Sequence, residues 1–267
     1  MLLPLAFLLY FGQFSGACDL DTDVQGNVIV ADCAGNSIVL FSPRGDSLRM
    51  VGGYGSGTLQ LDQPMAVAAR QGNDLYVADH NNHRVQRFNR MLDYVTTIFT
   101  RDGANERARF GYPRDVAISR QGDLFVVDGE NHRVVKFTAR GMWERTFGDQ
   151  TSGAARLADP QRIELDEADN IYVIDAGRVA QFDPFGSYVR DLPLPPGFSP
   201  TNLSITGDTL LLSDGSSIHL YSAATRQWID QFPLEAKDPA AAVLLRNGIF
   251  VVAYATRCGV YSYRSEE

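Results

Sequence analysis

A chain of 267 residues with 45% hydrophobic and 21% charged residues has the composition of a globular protein able to bury a core, which excludes a disordered or fibrous chain. Its formal charge of −8 argues against a general attraction to phosphate backbones, so nucleic acid is an unlikely partner by electrostatics alone. Three cysteines, Cys18, Cys33 and Cys258, form neither a C-x-x-C pair nor a zinc spacing with histidine, so no structural metal and no cofactor is expected.

The first segment, Met1 to Phe11, is apolar and runs toward Ser15-Gly16-Ala17-Cys18. Two readings stay open. Residues 1–16 form a signal segment, which would place the protein in a secreted or periplasmic compartment, or Leu5 to Phe11 is a strand that completes the last sheet of a closed ring. The absence of Lys and Arg before Arg44 removes the positive n-region and favours the strand. Cys18 and Cys33 lie at nearly equal distances from the Gly26 turn, so antiparallel neighbours would bring them opposite each other. A disulfide fits that geometry, although two buried thiols packing as small apolar groups is the reading preferred here.

From there the chain repeats itself. Val77-Ala78-Asp79-His80-Asn81-Asn82-His83-Arg84-Val85-Gln86-Arg87-Phe88 and Val126-Val127-Asp128-Gly129-Glu130-Asn131-His132-Arg133-Val134-Val135-Lys136-Phe137 differ by simple substitution. An earlier copy runs through Asp32 to Phe41, and a later one, through Asp175 and Arg178 to Phe182, has a turn two residues shorter. Fainter copies pass Leu212-Ser213-Asp214 and Val251-Val252-Ala253. Ahead of each copy stands a Pro with apolar residues at period two, as in Pro64 with Val67 and Ala69, Pro113 with Val116 and Ile118, and Pro160 with Ile163 and Leu165. Ala17 takes that Pro place in the first copy, and Pro200 and Pro239 take it in the last two. Turns such as Gln25-Gly26-Asn27, Gln71-Gly72-Asn73 and Gln121-Gly122-Asp123 join this strand to the next. No stretch carries a capped helical period, so the chain reads as nearly all β. The marker residues Asp32, Asp79, Asp128, Asp175, Asp214 and Ala253 are spaced at blade-sized intervals and predict six sheets.

This pattern resembles the NHL repeat family: a Pro-led inner strand, a Gly-Asn or Gly-Asp turn, a Val-x-Asp strand end, then Asn-x-Arg-Val and an aromatic. The resemblance implies one domain over residues 1–267, an all-β six-bladed β-propeller. It also implies a scaffold that mediates interactions rather than catalysis, though fold alone does not fix function.

The repeated pairs Asp79 with Arg84, Asp128 with Arg133 and Asp175 with Arg178, together with Asp32, are read as structural, because a catalytic group needs one special environment and these occur wherever the blade does. If each inner strand runs downward from a top face, the turns between second and third strands and the linkers between blades share that face. Those segments carry the candidate binding residues His80, Asn81, Asn82, His83, Arg101, Arg107, Arg109, Arg114, Glu130, Asn131 and His132. Such a surface suits a protein or peptide partner, particularly an acidic one, bound by a monomer. A metal-dependent lactonase or lyase is the alternative, for which only Asp19 and Asp115 stand at inner-strand starts. Single-stranded RNA binding is the other, and the acidic charge opposes it. No catalytic residue and no metal ligand is assigned.

Overall fold

The computed structural model describes residues 5–69, 73–234, 239–245 and 248–262. Its strands, in chain order, begin with β1 (Ala6–Phe11), a strand of the sixth blade; β2 (Ala17–Thr22), β3 (Val28–Asp32), β4 (Ser37–Phe41) and β5 (Ser47–Gly52) then make the first blade. The second holds β6 (Pro64–Ala68), β7 (Asp74–Asp79), β8 (Arg84–Asn89) and β9 (Tyr94–Ile98), and the third β10 (Pro113–Ile118), β11 (Leu124–Asp128), β12 (Arg133–Phe137) and β13 (Trp143–Phe147). In the fourth are β14 (Pro160–Leu165), β15 (Ile171–Asp175), β16 (Arg178–Phe182) and β17 (Tyr188–Asp191). The fifth has β18 (Asn202–Thr206), β19 (Thr209–Ser213), β20 (Ser217–Ser222) and β21 (Gln227–Pro233), and the sixth β22 (Ala241–Leu244), β23 (Ile249–Tyr254) and β24 (Arg257–Ser262). The six-bladed propeller expected from the repeats is therefore the fold. Part of the Gln71-Gly72-Asn73 turn lies outside the described residues.

The ring is closed by β1, which pairs antiparallel with β24 from Ala6 opposite Ser262 to Phe11 opposite Cys258 and gives the sixth blade its fourth strand. The second strands of the first, third and fourth blades are buried on both faces and carry no charge before the Asp that ends each, because each is sandwiched between neighbouring blades. A separate apolar cluster lies in every seam between adjacent blades. No blade can hide both of its faces alone, so packing around a shared axis is what makes six small sheets stable. At three seams an outer-strand Phe meets an aromatic ring of the next blade: Phe11 with Phe41 at 4.9 Å, Phe147 with Phe182 at 5.0 Å and Phe232 with Phe250 at 5.5 Å.

Two expectations change. Register places Tyr254, not Ala253, at the sixth marker position: Val252 opposite Ala242 matches Val126 opposite Val116, and the marker lies two residues further on. The blade lacks an acid there because Tyr254 instead shares a hydrogen bond with Tyr261 at 2.9 Å between hydroxyls. Cys18 and Cys33, read as packed thiols, form a disulfide, their Cα atoms held 5.9 Å apart by the β2–β3 hairpin. Cys258 is free, buried, and its thiol is pushed up to about 12 by that burial.

Candidate functional site

Register sets six residues, one from each inner strand, at the same level around the axis: Asp19, Ala66, Asp115, Arg162, Asn202 and Ala241. Alternate blades contribute acceptors, and each acceptor reaches the next blade. Asp19 accepts the Val67 N–H at 2.9 Å, Asp115 that of Ile163 at 2.8 Å, and Asn202 that of Ala242 at 3.1 Å. These bonds tie first strands that no sheet ladder joins. Arg162 stretches across the axis: one guanidinium nitrogen donates to the Cys18 carbonyl at 2.9 Å and another lies 3.8 Å from the Asp19 carboxylate. The space left beside this ring is about 20 Å³, enough for one water.

Burial drives both acids toward the neutral form, Asp19 to about 6 and Asp115 to about 8, against the lowering pull of the Arg162 charge. The arrangement is a plug. Its carboxylates are engaged by backbone N–H groups and a guanidinium stands where a cation held by two acids would otherwise sit. Among the described residues no group of three or more His, Cys, Asp or Glu side chains converges in a metal-holding geometry.

The second cluster lies on the face that carries the second-to-third-strand turns and the linkers between blades. Asp79 accepts the Asp62 N–H at 2.8 Å and pairs with Arg84 at 2.7 Å, while Arg84 spreads its other nitrogens over carbonyls of the 53–63 linker. Asp128 takes the Gly111 N–H at 3.1 Å and pairs with Arg133 at 2.9 Å. Asp175 accepts the Ala158 N–H at 2.8 Å and the Asp159 N–H at 2.6 Å, and pairs with Arg178 at 2.9 Å. In the first blade Asp32 does the same for the Ser15 and Gly16 N–H groups, both at 2.8 Å. Each acid thus pins the linker entering its own blade, beyond the capping of its own turn.

That framework fixes the candidate binding residues. His83 and His132 occupy the same left-handed turn position, φ 52° and 51°, where the first blade has Asn36. His83 Nδ1 accepts from Arg101 at 2.5 Å and from the Tyr112 N–H at 3.2 Å, so this nitrogen carries no proton. Burial and the neighbouring Arg101 hold His83 below the usual histidine range. His80, its ring nitrogen 3.1 Å from the Pro113 carbonyl, is lowered by burial as well. Between the two imidazoles stands Tyr112, with ring centroids 5.3 Å from His80 and 4.1 Å from His83, the Arg101 guanidinium 6.0 Å away, and 41% of its surface exposed.

Opposite charges neutralise most of the candidate arginines. Arg101 pairs with Glu130 at 3.3 Å, Arg109 with Glu106 at 3.6 Å, and Arg114 with Asp159. Arg107 is exposed on the short 3₁₀ turn at Glu106–Ala108. Asn81 and Asn82 are spent on Asp62, Asp79 and the Gly55 carbonyl, and Asn131 on Asp128. His132 is exposed in the third blade and belongs to no ring stack like that of His83 among the described residues. Sequence reasoning missed Arg162 and Tyr112. An arginine at the position where the first and third blades carry Asp19 and Asp115 was the visible signal for the first, whereas the second depends on how a linker folds back on the preceding blade.

The architecture and the repeats together define an NHL-type β-propeller. The NHL repeat profile matches residues 61–88 and 110–137, the second and third blades, and the chain is an NHL-repeat propeller of six blades. Comparison with curated protein sequences returns no significant match. Among solved structures the chain is similar in fold to a virginiamycin B lyase from Staphylococcus aureus, at 15% identity and a TM-score of 0.63 over 92% of this chain and 80% of that one. It is similar also to a gluconolactonase from Xanthomonas campestris, at 13% identity and a TM-score of 0.69 over 97% and 94%. A chain of a nidogen/laminin complex aligns at 16% identity and a TM-score of 0.64 over 84% and 92%. Two enzymes and a member of a protein complex share the shape, so the shape does not select a function.

Proposed function

We propose that this propeller is a non-catalytic platform that holds a protein or peptide on the face bearing the second-to-third-strand turns. The observation that carries the reading is Tyr112, an exposed aromatic held between two imidazoles and beside a guanidinium on linkers that buried ion pairs immobilise. A rigid Tyr with an Arg close by has the composition of an interface hot spot, and little side-chain entropy remains to be lost on binding. Because the arginines around it are already paired, charge contributes orientation rather than bulk attraction, and the partner need not be strongly acidic.

The metal-dependent lactonase or lyase reading finds its two candidate acids, Asp19 and Asp115, already engaged with backbone N–H groups and a cross-channel arginine. The test is affinity capture with the wild-type chain, Tyr112→Ala and a control altered on an outer strand, Val189→Ser. A partner kept by the control and lost by Tyr112→Ala is the expected result. Capture that survives Tyr112→Ala and the charge reversal Arg101→Glu would overturn the proposal.

A further inference from the structure

On the opposite face, where the inner strands end, a cavity of about 720 Å³ opens off the channel mouth and runs sideways into the seam between the sixth and first blades. Its cause is visible in the repeat register. One cross-strand pair per blade points toward the following blade: Ile29/Leu40, Tyr76/Arg87, Phe125/Lys136, Tyr172/Gln181, Leu211/Leu220 and, in the sixth, Val251/Val260. One position points back toward the preceding blade: Leu75, Leu124, Ile171, Leu210 and Phe250, but Val28 in the first. At all three positions the smallest residue occurs, and all three line the same seam. At these three positions the other seams carry larger side chains and the seam between the sixth and first blades carries valines, below the rings of Phe11, Phe14 and Phe41 that close its outer part. Close packing is the default for a protein interior, and the cavity, which also takes in the channel mouth beside Arg120, Leu165 and Ile205, enters the seam where the three small residues coincide.

The wall on the seam side is apolar, with Leu9 and Phe11 of β1 added to the valines, while the mouth is polar and carries Arg44 and Arg120 together with the acids Asp23 and Glu167. Arg44 is exposed and makes no ion pair among the described residues; Arg120 spends one nitrogen on the Glu167 carbonyl at 2.8 Å. Asp23, also at the rim, is occupied by its own turn, accepting from the Gln25 and Asn27 N–H groups at 2.9 Å. A volume of this size lies within the range of small-molecule sites, and an apolar body with an anionic head matches both surfaces.

We infer that the seam between the sixth and first blades is a binding site for an elongated apolar carboxylate of the fatty-acid class, its chain against Val28, Val251 and Val260 and its head at Arg44. The site is independent of the Tyr112 face. Titration calorimetry with dodecanoate, below its micelle concentration, tests it on the wild type, Val251→Phe, Val28→Leu and Arg44→Ala, with dodecanol as the neutral comparison. The expected result is one site per chain, weakened at least tenfold by Val251→Phe, which installs the residue that Phe125 supplies three seams away. Val28→Leu weakens it by a smaller factor and serves as the reading should Val251→Phe fail to fold. Dodecanoate should bind several-fold more tightly than dodecanol, and Arg44→Ala should erase that preference. Absence of binding to the wild type, many-site binding, or equal affinity in the filled variants would overturn the site. Equal affinity for dodecanol in the wild type would overturn the carboxylate.

Discussion

Asp115 accepts the backbone N–H of Ile163, one blade further on, at 2.8 Å while buried beside a second carboxylic acid. Asn202 makes the same bond to Ala242 without a charge. The chain therefore already contains the neutral solution to the problem that Asp115 solves with an acid. Burial raises Asp115 to about 8 from an ordinary value of 3.8, so the folded state holds its proton more tightly than the unfolded chain does. Stability from this group is complete below about pH 4 and is lost as pH rises through 8. Asp115→Asn should match the wild type near pH 4 and exceed it at pH 9, flattening the decline between them. Denaturant unfolding at the two pH values measures this, and an unchanged slope with pH would refute the protonated assignment.

Arg162 lies within 3.8 Å of Asp19 and donates to the Cys18 carbonyl of the first blade and the Met65 carbonyl of the second, so its removal leaves two buried acids facing each other. Arg162→Met should lower unfolding free energy by about 3–5 kcal/mol near neutral pH, the usual cost of stripping one partner from a buried charge cluster. Adding Asp115→Asn should restore part of that loss, because the two sites share one electrostatic problem. Strict additivity in the double variant would show that the arginine acts only by packing.

The Asp128 carboxylate is fully buried and holds the Gly111 N–H, the Asn131 amide and the Arg133 guanidinium at once. An amide of the same shape offers one acceptor oxygen and sets N–H against N–H on the other side. Asp128→Asn should destabilise by about 2–4 kcal/mol, whereas Asp214→Asn, whose acid caps only its own exposed turn, should cost under about 1 kcal/mol. Similar losses in urea titration would contradict the linker-pinning role.

Blade count and strand order were legible because the repeat imposes them: a period-two inner strand, a Gly turn and an Asp before the third strand recur where no other architecture needs them. The one-residue error at the sixth marker arose where Tyr254 replaces the acid and only register, which a faint repeat does not expose, separates it from Ala253. The partners of the candidate arginines were hidden for a similar reason. Arg101, Arg109 and Arg114 are counted as charges in a sequence, but their partners Glu130, Glu106 and Asp159 are brought to them by folding, two of the three from other segments. The valine-lined seam is written plainly in the sequence, yet it becomes visible only when six blades are aligned by their hydrogen-bonded pairs.

His83 gives the Tyr112 cluster a pH dependence. Its Nδ1 accepts from both Arg101 and the Tyr112 N–H, and burial together with the Arg101 charge keeps it neutral, with a folded-state pKa below the usual 6.5. A depressed histidine binds protons less readily folded than unfolded, so the local arrangement is stable above about 6.5 and is lost as pH falls through the lower folded value. Acidification from pH 7.5 to 5 should quicken amide exchange across the linker around Arg101 and Tyr112 while the second strands stay protected. Uniform exchange across the chain would mean that acid acts on the whole ring and not through His83.

The disulfide between Cys18 and Cys33 closes a 15-residue separation across the β2–β3 hairpin, whose register already holds the two strands together. A loop of that length closed in an otherwise unconstrained chain is worth about 3 kcal/mol by the entropy model, and the figure depends on the unfolded state lacking the hairpin. Its position adds a second effect: the Cys18 carbonyl receives Arg162, so loosening β2 also loosens the plug. Reduction, or the paired change Cys18→Ala with Cys33→Ala, should therefore cost about 1–3 kcal/mol and should make the pH dependence assigned to Asp115 less steep, since water reaches the acid more easily. Unfolding curves of the reduced and oxidised protein at pH 5 and pH 9 separate the two effects. Equal destabilisation at both values would confine the bridge to an entropic role and detach it from the channel.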